Sequence, residues 1–261
     1  MTDSLKGKVA LVTGGSRGLG AVIAEALAAK GADVAISYET SVGKAEAVAD
    51  KLRAKGVRAL AIRSDQADLT AAASLIGTVS AYFGRLDILV NNAAISVQGQ
   101  SVDDPELDTE SLDRQWRINV LGTVAVTRAA SSALSDGGRI IFIGSALGGR
   151  VAFPGVADYA GTKAAVVGYA KGVGRDLGPR NITVNVIQPG IIATDINEPL
   201  PMSVGMIRGE TDDAPSRIMD LHALRRVATV EEVAASVCFL AGPDSGYMTG
   251  SVLDISGGYQ I

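Results

Sequence analysis

Lys8-Val9-Ala10-Leu11-Val12-Thr13-Gly14-Gly15-Ser16-Arg17-Gly18-Leu19-Gly20 decides the fold. A short apolar run ending in glycines reads as a strand buried on both faces of a parallel sheet. The helix expected over 21–30 follows at once. Strand, glycine turn and helix start together make a phosphate cradle: backbone N–H groups and the positive helix end face an anion, and missing Cβ atoms let a pyrophosphate approach. The glycines fall at 14, 18 and 20, not as G-x-G-x-x-G. Glycines alone serve any tight turn; the strand–helix setting is what points to a dinucleotide. The candidate contacts are Gly14, Ser16, Arg17, Gly18, Leu19 and Gly20.

Outward from this stretch, strands and helices alternate. A second strand is expected over 32–37, and its end bears on the cofactor. A carboxylate about 20 residues past the glycines commonly bonds the ribose hydroxyls, whereas an Arg nearby accepts a 2′-phosphate. Here the strand ends Ile36-Ser37-Tyr38-Glu39. Arg17 can pair with a phosphate, and Ser37 and Ser41 can donate hydrogen bonds to it. Glu39 argues the other way, since an inward carboxylate repels phosphate. NADP(H) is favoured, with NAD(H) as the alternative.

A helix over 41–55 and a strand over 57–63 lead to Ser64-Asp65-Gln66 at a strand's C-terminal end, where open α/β sheets bind ligands. Asp65 either bonds an adenine amino group or caps the helix expected over 68–83. The strand at 86–90 runs into Asn91-Asn92-Ala93-Ala94. Its small residues let the chain pass close to a flat ligand, and Asn91 can tie neighbouring strands. A loop over 96–105 precedes one long helix over 109–134 that contains Asn119, in most helices just a satisfied polar group. Ser145 lies at the tip of a strand over 138–144. A strand over 181–187 closes with Gln188-Pro189-Gly190. Residues 191–226, rich in Pro, Met and mixed charge, read as a substrate lid. A helix over 230–240 and a strand over 251–255 finish the chain. The expected architecture is α/β: one Rossmann-type doubly wound parallel sheet of about seven strands spanning 1–261, with helices on both faces and right-handed crossovers.

Composition narrows the function. At 261 residues and 47% hydrophobic the chain can bury one large core. A net charge of −4 with no block of Lys and Arg argues against nucleic acid or anionic membrane as partner. No run reaches the ~18 apolar residues of a membrane span, and no secretory leader is visible. The single cysteine, Cys238, sits in an apolar segment and reads as a small hydrophobe, which fits a reducing compartment. No metal-ligand spacing is present. A cytoplasmic enzyme acting on a small molecule fits these limits.

One further stretch carries chemistry: Tyr159-Ala160-Gly161-Thr162-Lys163. Residues four apart share a helix face. The Lys163 ammonium beside the Tyr159 phenol is therefore expected to lower its pKa from about 10 towards neutrality. Such a tyrosine exchanges a proton with a carbonyl or alcohol oxygen. With the pieces in order, the chain resembles the short-chain dehydrogenase/reductase family over nearly its whole length. The resemblance rests on Thr-Gly-x-x-x-Gly-x-Gly (13–20), Asn-Asn-Ala-Ala (91–94), Ser145, Tyr-x-x-x-Lys (159–163) and Pro-Gly (189–190). The subgroup it looks most like contains 3-oxoacyl-carrier-protein reductases and similar ketoreductases; Asp65-Gln66 departs from the Asp-Val of many members.

The resemblance implies that Asn119, Ser145, Tyr159 and Lys163 are catalytic. It implies that Asn119 anchors a water and that Lys163 bonds the nicotinamide ribose. It further implies cofactor contacts from Ser37, Tyr38, Asp65, Gln66, Asn92, Ala93, Ala94, Tyr159, Lys163, Pro189, Gly190, Ile192 and Thr194. A homotetramer packed through the Asn119 and Tyr159 helices and the C-terminal region is also implied. Three readings follow: an NADP(H)-dependent reductase of a ketone or 3-oxoacyl group, an NAD-dependent dehydrogenase of a sugar, polyol or cyclic alcohol, and a dinucleotide-sensing regulator. The last predicts a broken catalytic set, and all four members are present. An enoyl reductase is disfavoured because that relative spaces its Tyr and Lys more widely. His222, the only histidine, reads as a surface or packing residue. Leu147, Phe153, Val156 and Met206 are candidates for an apolar substrate pocket.

Overall fold

The run Val9–Val12 becomes β1, with all four residues buried in alternation between two cores. In the computed structural model, which describes residues 4–192 and 219–261, β1 is followed by α1 (Gly18–Ala29), β2 (Asp33–Tyr38), α2 (Val42–Arg53), β3 (Ala59–Arg63), α3 (Ala71–Phe83) and β4 (Leu86–Asn91). The second half contains α4 (Thr109–Trp116), α5 (Thr123–Ala133), β5 (Leu134–Ile143), α6 (Ala157–Leu177), β6 (Thr183–Pro189), α7 (Val230–Ala241) and β7 (Val252–Ile255). All seven strands are parallel, in the order β3-β2-β1-β4-β5-β6-β7.

The two-residue period of the strands sorts their side chains. Ala10, Val12, Val34, Ile36 and Val90 pack with Ile23 and Leu27 of α1, Leu52 of α2 and Val237 of α7. Val9, Leu11, Leu89 and Phe142 pack on the other face with Leu75 and Val79 of α3, Val126 of α5 and Val173 of α6. The chain order reverses between β1 and β4, so a crevice opens beyond their C-terminal ends. Such a switch point is where doubly wound sheets bind ligands.

Three expected elements differ. The helix expected over 109–134 is interrupted: Arg117–Gly122 winds as a π-helical segment, with Asn119 inside it. The wider turn occurs where Gly122 presses on the loop after β3, since a Cβ there would run into the Gln66 carbonyl. Leu134, read as the helix end, instead opens β5 opposite Leu86. The helix expected from residue 68 starts at Ala71, because Asp68 closes a local turn on Thr70 (2.9 Å to its N–H).

Candidate functional site

A cavity of about 450 Å³ runs along the C-terminal ends of the sheet. Its floor is the glycine turn. Gly14 has φ +65°, which disfavours side chains, and a Cβ on it would lie 2.9 Å from the Ala93 Cα. A Cβ on Gly20 would collide with the Gly14 carbonyl and the Asn92 amide. No side chain caps α1, so its first N–H groups are left for another acceptor beside Ser16, Gly18 and Leu19 at the cavity wall. That donor set suits a pyrophosphate.

The turn after β4 is clipped to β1 by Thr13, whose Oγ1 accepts from the N–H groups of both Asn92 and Ala93 at 3.0 Å. Asn91 ties β4 to β5 opposite Phe142, and its neighbour makes the side-chain tie to β1. Asn92 Nδ2 donates to the carbonyls of Thr13 (2.9 Å) and Gly14 (3.2 Å), while Asn91 points the opposite way to Thr127 (3.0 Å). Adjacent strand residues face opposite sides of the sheet, and only Asn92 faces the glycine turn. Ala94 and, at the end of β6, Pro189, Gly190 and Ile192 also line the cavity.

Ser145, Tyr159 and Lys163 meet on the opposite wall. Ser145 follows β5 and accepts from the Leu147 N–H at 3.2 Å; its hydroxyl also lies against the Tyr159 phenol. Lys163 is 4% exposed, donates to the Ile143 carbonyl at 3.0 Å, and lies 5.7 Å from the Tyr159 ring centroid. The expected tuning of the phenol towards neutrality is not what this geometry gives. Burial pushes Tyr159 up to about 12, only partly offset by Ser145, and pushes Lys163 down to about 8. The ammonium is directed at the Ile143 carbonyl, and burial dominates the phenol's shift. At neutral pH the tyrosine holds its proton.

Asn119 stands behind this wall, 2% exposed. Its Oδ1 accepts from Ile95 N (2.9 Å), and its Nδ2 donates to Ile95 O (2.9 Å) and Thr162 Oγ1 (3.2 Å). With both amide hydrogens spent on protein, a water is left only the second lone pair of Oδ1 or the Ile95 carbonyl. Thr162, not singled out from sequence, donates onward to the Tyr159 carbonyl at 2.7 Å. Trp116 Nε1 donates to Asp158 at 2.7 Å and fastens α4 to the start of α6.

At the β2 end the cavity is bounded by Arg17, Ser37, Tyr38, Glu39 and Ser41, with Asp65 and Gln66 opposite. Ser37 Oγ accepts from Gly14 N (3.3 Å). Ser41 stands at the N-cap of α2, but its hydroxyl makes no capping bond, which leaves it for a ligand. Asp65 does not cap α3; it closes a turn by accepting from Ala67 N at 2.8 Å. Glu39, expected from sequence either to oppose a 2′-phosphate or to anchor the ribose of NAD, is ion-paired with Arg114 of α4 at 3.0 Å. Thr194 and Met206 lie outside the described residues. Val156 is buried at the N-cap of α6, and neither it nor Leu147 and Phe153 belong to the cavity's described walls. His222 is 2% exposed and packed on Tyr259, ring centroids 5.1 Å apart, as the packing reading requires.

A phosphate cradle and a serine–tyrosine–lysine wall facing one crevice define an NAD(P)-dependent oxidoreductase of CH–OH/C=O groups. A family model described as enoyl-(acyl carrier protein) reductase matches residues 14–260. The chain is 37% identical over 255 residues to the cyclic-di-GMP-binding biofilm dispersal mediator protein of Escherichia coli K12, covering 97% of each. It is 36% identical over 261 residues to a probable tetrahydroxynaphthalene reductase of Zymoseptoria tritici, covering 98% of this chain and 96% of that one. Among solved structures, a short-chain dehydrogenase from Burkholderia cenocepacia J2315 in complex with NADP superposes with a TM-score of 0.89 at 43% identity, over 99% of this chain and 100% of that one. The chain belongs to the short-chain dehydrogenase/reductase family.

Proposed function

We propose that this protein is an NADP(H)-dependent carbonyl reductase, reducing a ketone to a secondary alcohol. The observation that carries the reading is the Ser145–Tyr159 hydroxyl pair, on the wall facing the glycine cradle, with the phenol protonated at neutral pH. The Burkholderia relative with NADP and the probable tetrahydroxynaphthalene reductase among the relatives support both halves of it. Two hydroxyls side by side suit a carbonyl oxygen, so enoyl reduction is not proposed.

Gly14, Gly18 and the α1 N-terminus would hold the pyrophosphate, with Asn92, Ala93 and Ala94 along the cofactor's length. Arg17 and Ser41 would meet a 2′-phosphate, Lys163 the nicotinamide ribose, and Thr194 with Ile192 the carboxamide. When bound, the reduced nicotinamide supplies hydride to the carbonyl carbon. Ser145 holds the substrate oxygen and stabilises charge developing on it. Tyr159 donates its proton to that oxygen. The buried Lys163 charge then favours the phenolate left behind. Asn119 is a positioning residue, holding Thr162 and the 95 backbone behind Tyr159.

The lid of this proposal is residues 191–226, of which 193–218 lie outside the described residues. Its ends are pinned together beside the cavity, by the Ile192–Ala228 bridge and the Ala228 N to Ile191 O bond of 2.9 Å. A free substrate is favoured over a carrier-bound one: among the described residues Arg225 and Arg226 are paired with Asp220 and Glu232. Among the described residues no helix is long and apolar enough to cross a membrane; a cytoplasmic location is part of the proposal. So is a homotetramer, supported by exposed Leu121, Phe239, Tyr247 and Val252 on the elements the family uses for assembly. The test is ketone-dependent oxidation of NADPH by the purified protein, across aromatic, cyclic and 3-oxoacyl ketones. Turnover of at least one class is expected. Oxidation of none, with alcohols oxidised by NAD instead, overturns the reading.

A further inference from the structure

Glu39 poses a problem that the ion pair with Arg114 resolves. It stands just past β2, where a carboxylate commonly bonds ribose hydroxyls, and it lines the same cavity as Arg17 and Ser41. A free carboxylate there repels a 2′-phosphate. Its Oε1 is instead 3.0 Å from Arg114 Nη2, contributed by α4 from 75 positions further along the chain. Arg63 Nε donates to the Glu39 backbone carbonyl at 3.2 Å, fixing the segment that carries it. α4 is itself held in place: Arg117, just beyond it, donates to the Ala67 carbonyl at 2.8 Å, and Trp116 bonds Asp158. The guanidinium is therefore delivered to Glu39 by a braced helix.

Resting on the NADP(H) reading above, we infer that Arg114 is a cofactor-specificity residue: by neutralising Glu39 it converts a ribose-hydroxyl site into one that tolerates a 2′-phosphate. Arg114 acts through Glu39 rather than on the cofactor, and it does not line the cavity itself. Both side chains are about half exposed, 47% for Arg114 and 49% for Glu39. Solvent screening keeps such a pair weak, so the effect is a shift of preference and not an all-or-none switch. A 2′-phosphate carries close to two negative charges at neutral pH, however, which magnifies the difference that one uncompensated carboxylate makes.

The test is a four-protein cycle: wild type, Arg114→Ala, Glu39→Gln and the double variant, each titrated with NADPH and with NADH at low salt. Arg114→Ala is expected to weaken NADPH roughly 3–10-fold and leave NADH unchanged or tighter. Glu39→Gln is expected to stay within about twofold of wild type for NADPH. In the Glu39→Gln background, adding Arg114→Ala is expected to change NADPH binding less than about twofold. Retained NADH binding shows that each variant is folded. Equal weakening of both cofactors by Arg114→Ala would make the arginine a mere brace for α4 and overturn the inference. So would an NADPH loss that persists in the Glu39→Gln background, or no loss at all. Wild type preferring NADH would instead sink the NADP(H) reading itself.

Discussion

At the β5 end of the cleft the groups behind the Ser145 and Tyr159 hydroxyls are held inside the fold. Asn119 spends its amide on Ile95 and Thr162, Thr162 passes to the Tyr159 carbonyl, and Lys163 is anchored on Ile143. At the β2 end the working groups stand half in water: Glu39 and Arg114 hold each other across the rim, while the Ser41 hydroxyl is uncommitted by its helix. The contrast separates chemistry from selectivity. Proton transfer needs groups fixed in a low-dielectric place, where small displacements and lost partners are costly. Choice between two cofactors differing by one phosphate needs only a modest electrostatic difference, which exposed charges supply.

The largest break in this comparison is expected from Tyr159→Phe, which removes the proton at the buried end and nothing from the cradle. Turnover should fall by about 10³-fold or more while NADPH binding stays within about twofold; turnover within tenfold of wild type would remove Tyr159 from its role. Next comes Gly20→Ala in the cradle, where the new Cβ has no room beside Gly14 and Asn92. NADPH affinity is expected to fall on the order of 30-fold or more, read by titration, without change in the serine–tyrosine wall. Alkaline pH offers a third probe. Lys163 sits near 8, so the charge that favours phenolate is present below that pH and lost above it. Reductive turnover should fall about tenfold per pH unit beyond it, and Lys163→Met should be slow throughout and lack that limb. A last probe, read on stability and not on turnover, is Thr13→Ala. It strands the N–H groups of Asn92 and Ala93 and should cost about 1–3 kcal/mol in denaturant unfolding.

Much of this could be read from the chain, for physical reasons. The apolar run before Gly14, the glycines themselves and the four-residue spacing of Tyr159 and Lys163 are local signals, each tied to one backbone geometry. What escaped depends on contacts distant in sequence. Asn91 and Asn92 are identical residues side by side, and only the pairing of β4 with β1 decides which faces the glycine turn. The π-helical turn at Arg117–Gly122 carries no apolar period of its own, and the approach of Gly122 to the Gln66 loop is a contact distant in sequence. The Tyr159 proton was misjudged because helix spacing reveals a neighbouring charge but not the burial that dominates the phenol's shift. Arg114 has no signal of its own in the sequence, because only the fold brings it to Glu39.

The measurement that bears most directly on the whole account is a fluorescence titration of the purified protein with NADPH and, separately, with NADH. Binding of both, with NADPH clearly tighter, is the expected result, because the cradle holds what the two share and the rim admits the 2′-phosphate. Tighter NADH would contradict the rim and hand Glu39 to the ribose of an alcohol-oxidising dehydrogenase. Binding of neither would contradict the cradle itself.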